Sequence, residues 1–263
     1  MASHYIHNLN PVILDLGPVQ VRWYGLMYVI GFLIAGYFLK VLVKSNFLKI
    51  SLDKIDSLIT MMIICMFIGA RTFYVFIYNW DYYSQNLLDL LAVWKGGLSF
   101  HGALVGLLVG GFIFARQQKI TWFEVMDSVA LVGTPGMFLG RIGNFINGEL
   151  YGRITNSQFG IIFPEGGPFP RHASQLYEAF LEGILLFVIL WTVKPKIKIY
   201  GIISGLFVSL YGVFRFFVEF FREPDSQLGF YFGGITMGQI LCFIMIASGM
   251  GIIFYSQKKR ITI

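Results

Sequence analysis

WYGLMYVIGFLIAGYFLKVLV, residues 23–43, runs for 21 positions with Lys40 as its only charge. A bilayer core of about 30 Å is spanned by about 20 apolar residues in helical form, so this stretch predicts a transmembrane helix. Six further windows satisfy the same rule, at 55–78, 98–115, 122–140, 178–193, 200–221 and 235–255. The expected fold class is therefore an all-α integral membrane protein with seven transmembrane helices, residues 1–263 forming a single polytopic membrane domain. Composition agrees: 56% of the residues are apolar, 13% are charged and the mean hydropathy is +0.69, where a soluble domain carries about 25% charge.

The formal charge of +6 lies in short clusters between the apolar windows, which reads as a topology signal and not as a nucleic-acid footprint. Lys40 closes the first window and Lys44, Lys49 and Lys54 come after it, and Arg116 and Lys119 follow the third. Lys194, Lys196 and Lys198 follow the fifth, and Lys258, Lys259 and Arg260 the last. The positive-inside rule puts all of these on the cytoplasmic side. The N-terminus, the Asp81–Lys95 loop, the 141–177 segment and the stretch after Arg222 then lie outside, and the C-terminus is cytoplasmic. The beginning of the chain lacks a basic region followed by an apolar one, so no cleavable signal peptide is expected. Cys65 and Cys242 fall in mid-window, where a thiol is a small inert hydrophobe, and no Cys/His spacing suggests a metal.

Between windows four and five, glycines 148, 152, 166 and 167 and prolines 164, 168 and 170 predict a broken outer-face segment that still carries Phe145, Phe159 and Phe163. Irregular backbone at membrane depth needs protein or water to satisfy it, so this segment is expected to cover the outer leaflet or a cavity mouth.

Charge inside a span is costly, about 2.5–3.5 kcal/mol per residue, which makes Arg71, His101, Asp127, Glu182, Arg215 and Glu219 functional candidates. WKGGLSFHGALVG, 94–106, sets His101 among glycines that allow close backbone approach; it is either a general base or a helix-packing histidine. YGVFRFFVEFFREPD, 211–225, puts Tyr211, Arg215 and Glu219 on one helical face. GRIGNFINGELYGR, 140–153, sets Arg141 and Asn144 one turn apart, followed by Asn147, Glu149 and Arg153. Guanidinium forks match phosphate oxygens, and asparagine bonds phosphate or glycerol oxygens; a capping cluster is the alternative. VRWYGLMY, 21–28, adds Arg22, Tyr24 and Tyr28, and RHASQLYE, 171–178, adds Arg171, His172, Ser174 and Gln175. Together they describe an anionic-lipid headgroup site at one membrane depth.

VRWYGLMY, HGALVG, GRIGNFINGELYGR, RHASQLYE, YGVFRFFVEFFREPD and TMGQ at 236–239, in this order over nearly the whole chain, resemble the motifs of the bacterial prolipoprotein diacylglyceryl transferases. The resemblance implies a seven-helix enzyme of the bacterial inner membrane, with its site toward the outer leaflet. Its reaction would move the diacylglyceryl group of phosphatidylglycerol to the lipobox cysteine thiol of a prolipoprotein and release glycerol 1-phosphate. It implies no cofactor, no metal and no nucleic-acid partner. It carries over Tyr24, His101, Arg141, Asn144, Glu149, Gly152, Arg215 and Glu219 as functional residues. In these roles Arg141 and Arg215 bind phosphate, His101 takes or directs the thiol proton, Asn144 and Tyr24 position headgroup oxygens, and Glu149 and Glu219 hold the arginines. A transporter would need a polar path to the other face or an internal repeat, and neither is seen. A seven-helix receptor would need longer cytoplasmic segments.

Overall fold

A backbone in hydrocarbon must bond its own N–H and C=O groups, and helices do so within one segment. The computed structural model describes residues 4–17, 20–92, 94, 96–223, 230–231, 235–260 and 262–263. Lys95, Pro224 and Asp225 lie outside them. The chain opens with strands Tyr5–Ile6 (β1), Val12–Asp15 (β2) and Gln20–Arg22 (β3), then enters helix Trp23–Lys44 (α1). A 3₁₀ turn, helix Ile55–Phe73 (α2) and a π turn Tyr74–Tyr78 follow, with a short helix Trp80–Tyr83 (α3) beyond. Helices Phe100–Gln118 (α4) and Trp122–Asn147 (α5) come next, then strand Ile161–Ile162 (β4). Helix Ser174–Glu178 (α6), a π turn Ala179–Leu185 and helix Leu186–Val193 (α7) form one continuous rod. Helix Ile202–Val218 (α8), strands Phe230–Tyr231 (β5) and Ile235–Thr236 (β6), and helix Met237–Lys259 (α9) complete the order.

Among the described residues, six helical stretches are long and apolar enough to cross a membrane: Trp23–Lys44, Leu52–Tyr78, Phe100–Gln118, Trp122–Asn147, Ser174–Lys196 and Met237–Lys259. The window at 200–221 gives a shorter helix, α8, of 17 residues. Large apolar side chains lie exposed on the surface, and polar ones are buried beside the apolar core. Leu33 and Phe254 are each 69% exposed, while Glu178 and Gln175 are 0% exposed. That arrangement is what lipid as solvent selects.

The helix α5 runs to Asn147, seven residues past the expected 140, and passes straight through Pro135. Proline removes the N–H that would bond the Leu131 carbonyl one turn earlier. The Trp191 indole N–H donates to that carbonyl at 3.2 Å and the Thr134 hydroxyl at 3.4 Å, so the lost bond is replaced from outside the helix backbone. The helix ends where Gly148, at φ +71°, and Leu150, at φ +57°, turn left-handed. The broken segment beyond is ordered by backbone bridges Ile154–Arg171 and Ile161–Arg171 and by parallel pairing of β1 with β4. Phe163 is fully buried there, with the rings of Tyr151 and His7 at 5.3 and 5.2 Å.

The chain divides into two compact units, one of residues 38–128 and one of residues 1–37 with 129–263. In the first, α2 and α4 pack backbone against backbone. A Cβ at Gly106 would fall on the Cys65 carbonyl, and one at Gly69 on the Gly102 carbonyl. Glycines 102, 106 and 110 thus form the small-residue stripe that lets two membrane helices approach. Arg71, a functional candidate from its position in a span, is structural. Its guanidinium donates to the carbonyls of Asp89, Leu90, Ala92, Gly96 and Gly97 and ties the loop after α3 to α2. In the other unit, α8 and α9 meet at Gly205, Ser209 and Gly249, where an added Cβ on Gly249 would strike the Gly205 carbonyl or the Ser209 hydroxyl. Both cysteines are free thiols.

Candidate active site

The polar cluster that the sequence places at one depth is built in the unit of residues 1–37 and 129–263 from the end of α5, the π-turned rod 174–193, and α8. Arg141 on α5 and Arg215 on α8 converge on one oxygen. Glu178 Oε2 lies 2.7 Å from Arg141 Nη2 and 3.1 Å from Arg215 Nη1. Glu182, one turn later, lies 3.8 Å from each arginine through different oxygens. Both carboxylates are essentially inaccessible, at 0% and 1%, whereas the Arg141 side chain keeps 25% of its surface and Arg215 13%. Both guanidiniums are thus held by buried carboxylates, while each arginine side chain keeps some accessible surface.

At the end of α8 and just past it, Arg215 Nη2 meets Glu219 Oε2 at 3.2 Å and Arg222 approaches the same oxygen at 4.0 Å. The Thr236 hydroxyl donates to Glu219 Oε1 at 3.2 Å. Thr236 is also the cap of α9, accepting from the Gln239 N–H while the Gln239 side chain bonds the Thr236 N–H. The TMGQ motif thus starts α9 and fixes the far oxygen of Glu219; Gly238 leaves room for that carboxylate, 2.7 Å from where a Cβ would stand.

Past the end of α5, Glu149 Oε1 accepts from Asn144 Nδ2 at 2.8 Å and from Asn147 Nδ2 at 3.0 Å. Its partners are amides and not arginines, which corrects the expectation that Glu149 holds a guanidinium. The reason is local: the left-handed turn at Gly148 folds residue 149 back on the last turn of its own helix, where the asparagines are. Gln175 Nε2 donates to the Glu149 carbonyl at 2.6 Å and the Ser174 hydroxyl to the Leu150 carbonyl at 3.1 Å, so RHASQLYE secures the same turn.

Gly152 stands where three segments cross. Its N–H donates to the His172 carbonyl at 2.8 Å, and a Cβ would lie 2.9 Å from that oxygen and on the Phe221 carbonyl. Arg153 closes the crossing by donating to the Arg222 carbonyl at 2.8 Å and the Glu219 carbonyl at 3.2 Å. His172 faces the Tyr177 hydroxyl at 3.2 Å, and burial holds its imidazole below the usual histidine range. Tyr24, at the start of α1, passes under Gly143, its ring 2.8 Å from an added Cβ, and its hydroxyl meets Tyr28 at 3.1 Å.

His101 belongs to the other unit, in the first turn of α4 after the Ser99 cap. Its Nδ1 lies 3.1 Å from the Tyr78 hydroxyl, which the π turn 74–78 carries. Tyr24, Arg141, Asn144, Glu149, Gly152, Arg215 and Glu219 all fall in the unit described first. Glu178 was missed as a site residue. It closes the RHASQLYE motif and stands four residues before Glu182, a spacing that puts two carboxylates on one helical face. Among the described residues no group of three or more His, Cys, Asp or Glu side chains is arranged to hold a metal ion.

The sequence profile of prolipoprotein diacylglyceryl transferase matches residues 11–255. The chain belongs to this family. A phosphatidylglycerol–prolipoprotein diacylglyceryl transferase of Desulfotalea psychrophila is 47% identical over 100% of this chain and 99% of its own length. Proteins of the same name from Oleidesulfovibrio alaskensis and Geobacter sulfurreducens are 46% and 44% identical, covering 95% and 97% of this chain and 94% and 98% of theirs. The family match thus includes every motif quoted above, from VRWYGLMY to TMGQ.

Proposed function

We propose that this protein transfers the diacylglyceryl group of phosphatidylglycerol to the lipobox cysteine thiol of prolipoproteins, the first step of bacterial lipoprotein modification. The single observation that carries the reading is the pair Arg141 and Arg215, brought together on one buried carboxylate in a chain of this family. In the reaction a sulfur–carbon bond forms at the glyceryl carbon and the carbon–oxygen bond to phosphate breaks. The electron pair goes to the phosphate oxygen and the thiol proton to a base. The phosphodiester monoanion becomes a phosphomonoester and gains one negative charge. Two guanidiniums on the departing phosphate stabilise that charge as it grows.

Arg141 and Arg215 bind the phosphate in this scheme. Asn144, oriented by Glu149, and Tyr24 position headgroup oxygens, and Glu219 orients Arg215. His101 takes or directs the thiol proton, since the thiolate is the nucleophile. The chain crosses the bacterial inner membrane seven times, α8 included, with the N-terminus outside, the C-terminus in the cytoplasm and the site toward the outer leaflet. The lysine-rich ends of α1 and α9 support that orientation.

The test uses purified protein in detergent with phosphatidylglycerol and a peptide bearing one lipobox cysteine. A diacylglyceryl mass gain on the peptide with stoichiometric glycerol phosphate release is expected, and none on the Cys→Ser peptide. Folded protein that yields neither under several lipid conditions refutes the reading. For His101, near-normal turnover of His101→Gln from about pH 6 to 9 would remove it as the base.

A further inference from the structure

We propose that Glu178 is a positioning residue for the transfer. It sets the spacing of Arg141 and Arg215 and, with Glu182, offsets their charge so that the phosphate product leaves. This rests on the reading that the two arginines hold the phosphate. The argument begins with one atom. Glu178 Oε2 is within 2.7 Å of one guanidinium and 3.1 Å of the other, so the carboxylate bridges α5 and α8 from a third element. A purely structural tie would need one such bridge. Glu182 adds a second carboxylate at 3.8 Å from both arginines, equally inaccessible, and the Tyr211 hydroxyl lies beside it.

Two guanidiniums and two carboxyl groups sum to no net formal charge, and Glu219 with Arg222 adds one formal charge of each sign. A phosphodiester monoanion enters this cluster against arginine side chains that keep 25% (Arg141) and 13% (Arg215) of their surface accessible. Cleavage raises the negative charge on the phosphate. Two unpaired guanidiniums would then hold the product most tightly when it has to depart. The buried carboxylates repel that added charge while keeping the forks aimed.

Glu178→Gln and Glu182→Gln preserve side-chain shape and remove one negative charge each. For Glu178→Gln the expected result is a kcat about a hundredfold lower, because the forks lose their common anchor. Inhibition by glycerol 1-phosphate is expected to become about tenfold tighter. Glu178→Asp, which keeps the charge, is expected to leave glycerol phosphate inhibition near the wild-type value and to recover part of kcat. A Glu178→Gln protein that loses turnover with unchanged glycerol phosphate inhibition overturns the proposal, because a scaffold role alone predicts that outcome. So does one with wild-type values of both. If Glu178→Gln does not fold, Glu182→Gln decides: it leaves both short contacts intact, and unchanged inhibition overturns the charge argument while tighter inhibition supports it. Arg141→Gln separates the layers. It is expected to weaken glycerol phosphate inhibition; if it does not, the phosphate reading itself falls and the proposal with it.

Discussion

Asn144 Nδ2 donates to Glu149 Oε1 at 2.8 Å, and Asn147 donates to the same oxygen at 3.0 Å. One carboxylate oxygen thus fixes which way two asparagine amides face. Glu149→Gln keeps an acceptor in that place and is expected to lose about tenfold in kcat/KM, the worth of exchanging a charged acceptor for a neutral one. Glu149→Ala frees both amides and is expected to lose roughly a hundredfold, within the range for charge-assisted bonds. Initial rates of peptide lipidation check both; equal losses would show that the amides are not what Glu149 controls.

At Gly152 the expectation is steric. A methyl group there meets the Phe221 carbonyl and lies 2.9 Å from His172 Cβ, and backbone cannot step aside as a side chain can. Gly152→Ala is expected to cost about 1–3 kcal/mol, to lower the thermal midpoint in detergent and to reduce activity. Gly133→Ala, with nothing within 4 Å of the added carbon and a helical backbone, is the control and is expected to hold or raise the midpoint.

Tyr78 and His101 meet at 3.1 Å through Nδ1, which leaves Nε2 as the ring's other edge. Tyr78→Phe removes the partner, and nitrogen NMR of the imidazole is expected to show the tautomer ratio shift. The associated loss of turnover is expected to be up to about tenfold, the worth of one neutral hydrogen bond. An unchanged ratio would mean the hydroxyl does not set the ring.

For His172 the expectation concerns acid. Burial lowers its folded-state pKa, so the folded protein binds fewer protons than the unfolded chain as pH falls through the imidazole range. Its neutral form therefore contributes stability above the ordinary imidazole pKa, and that contribution is lost as pH drops toward the lowered value. The thermal midpoint of His172→Gln is expected to change less than that of the wild type between about pH 7.5 and 5.5.

Much of this molecule was legible because lipid leaves so few options. The apolar run at 23–43 became α1, Trp23–Lys44, almost residue for residue, and glycines 102 and 106 were recognisable as a close-packing face. The expected end of α5 at 140 falls short of Asn147, and the indole that bonds the carbonyl orphaned by Pro135 comes from Trp191, far along the chain. The π turns at 74–78 and 179–185 have no sequence signature, yet they carry Tyr78 and Glu182. Glu178 was hidden by drawing the fifth window from 178, which made it a boundary residue when the helical rod begins at Ser174. Glu149 was assigned to the arginines because opposite charges pair in sequence reasoning, whereas the left-handed turn delivers it to asparagines.

The most direct test of the central claim, that Arg141 and Arg215 grip the phosphate of the transferred lipid, is kcat/KM for the two lysine variants. Lysine keeps the charge but replaces the planar fork by a point charge. Folded Arg141→Lys and Arg215→Lys proteins are each expected to fall by about a hundredfold or more in kcat/KM for phosphatidylglycerol. Both variants retaining near wild-type values would contradict the account.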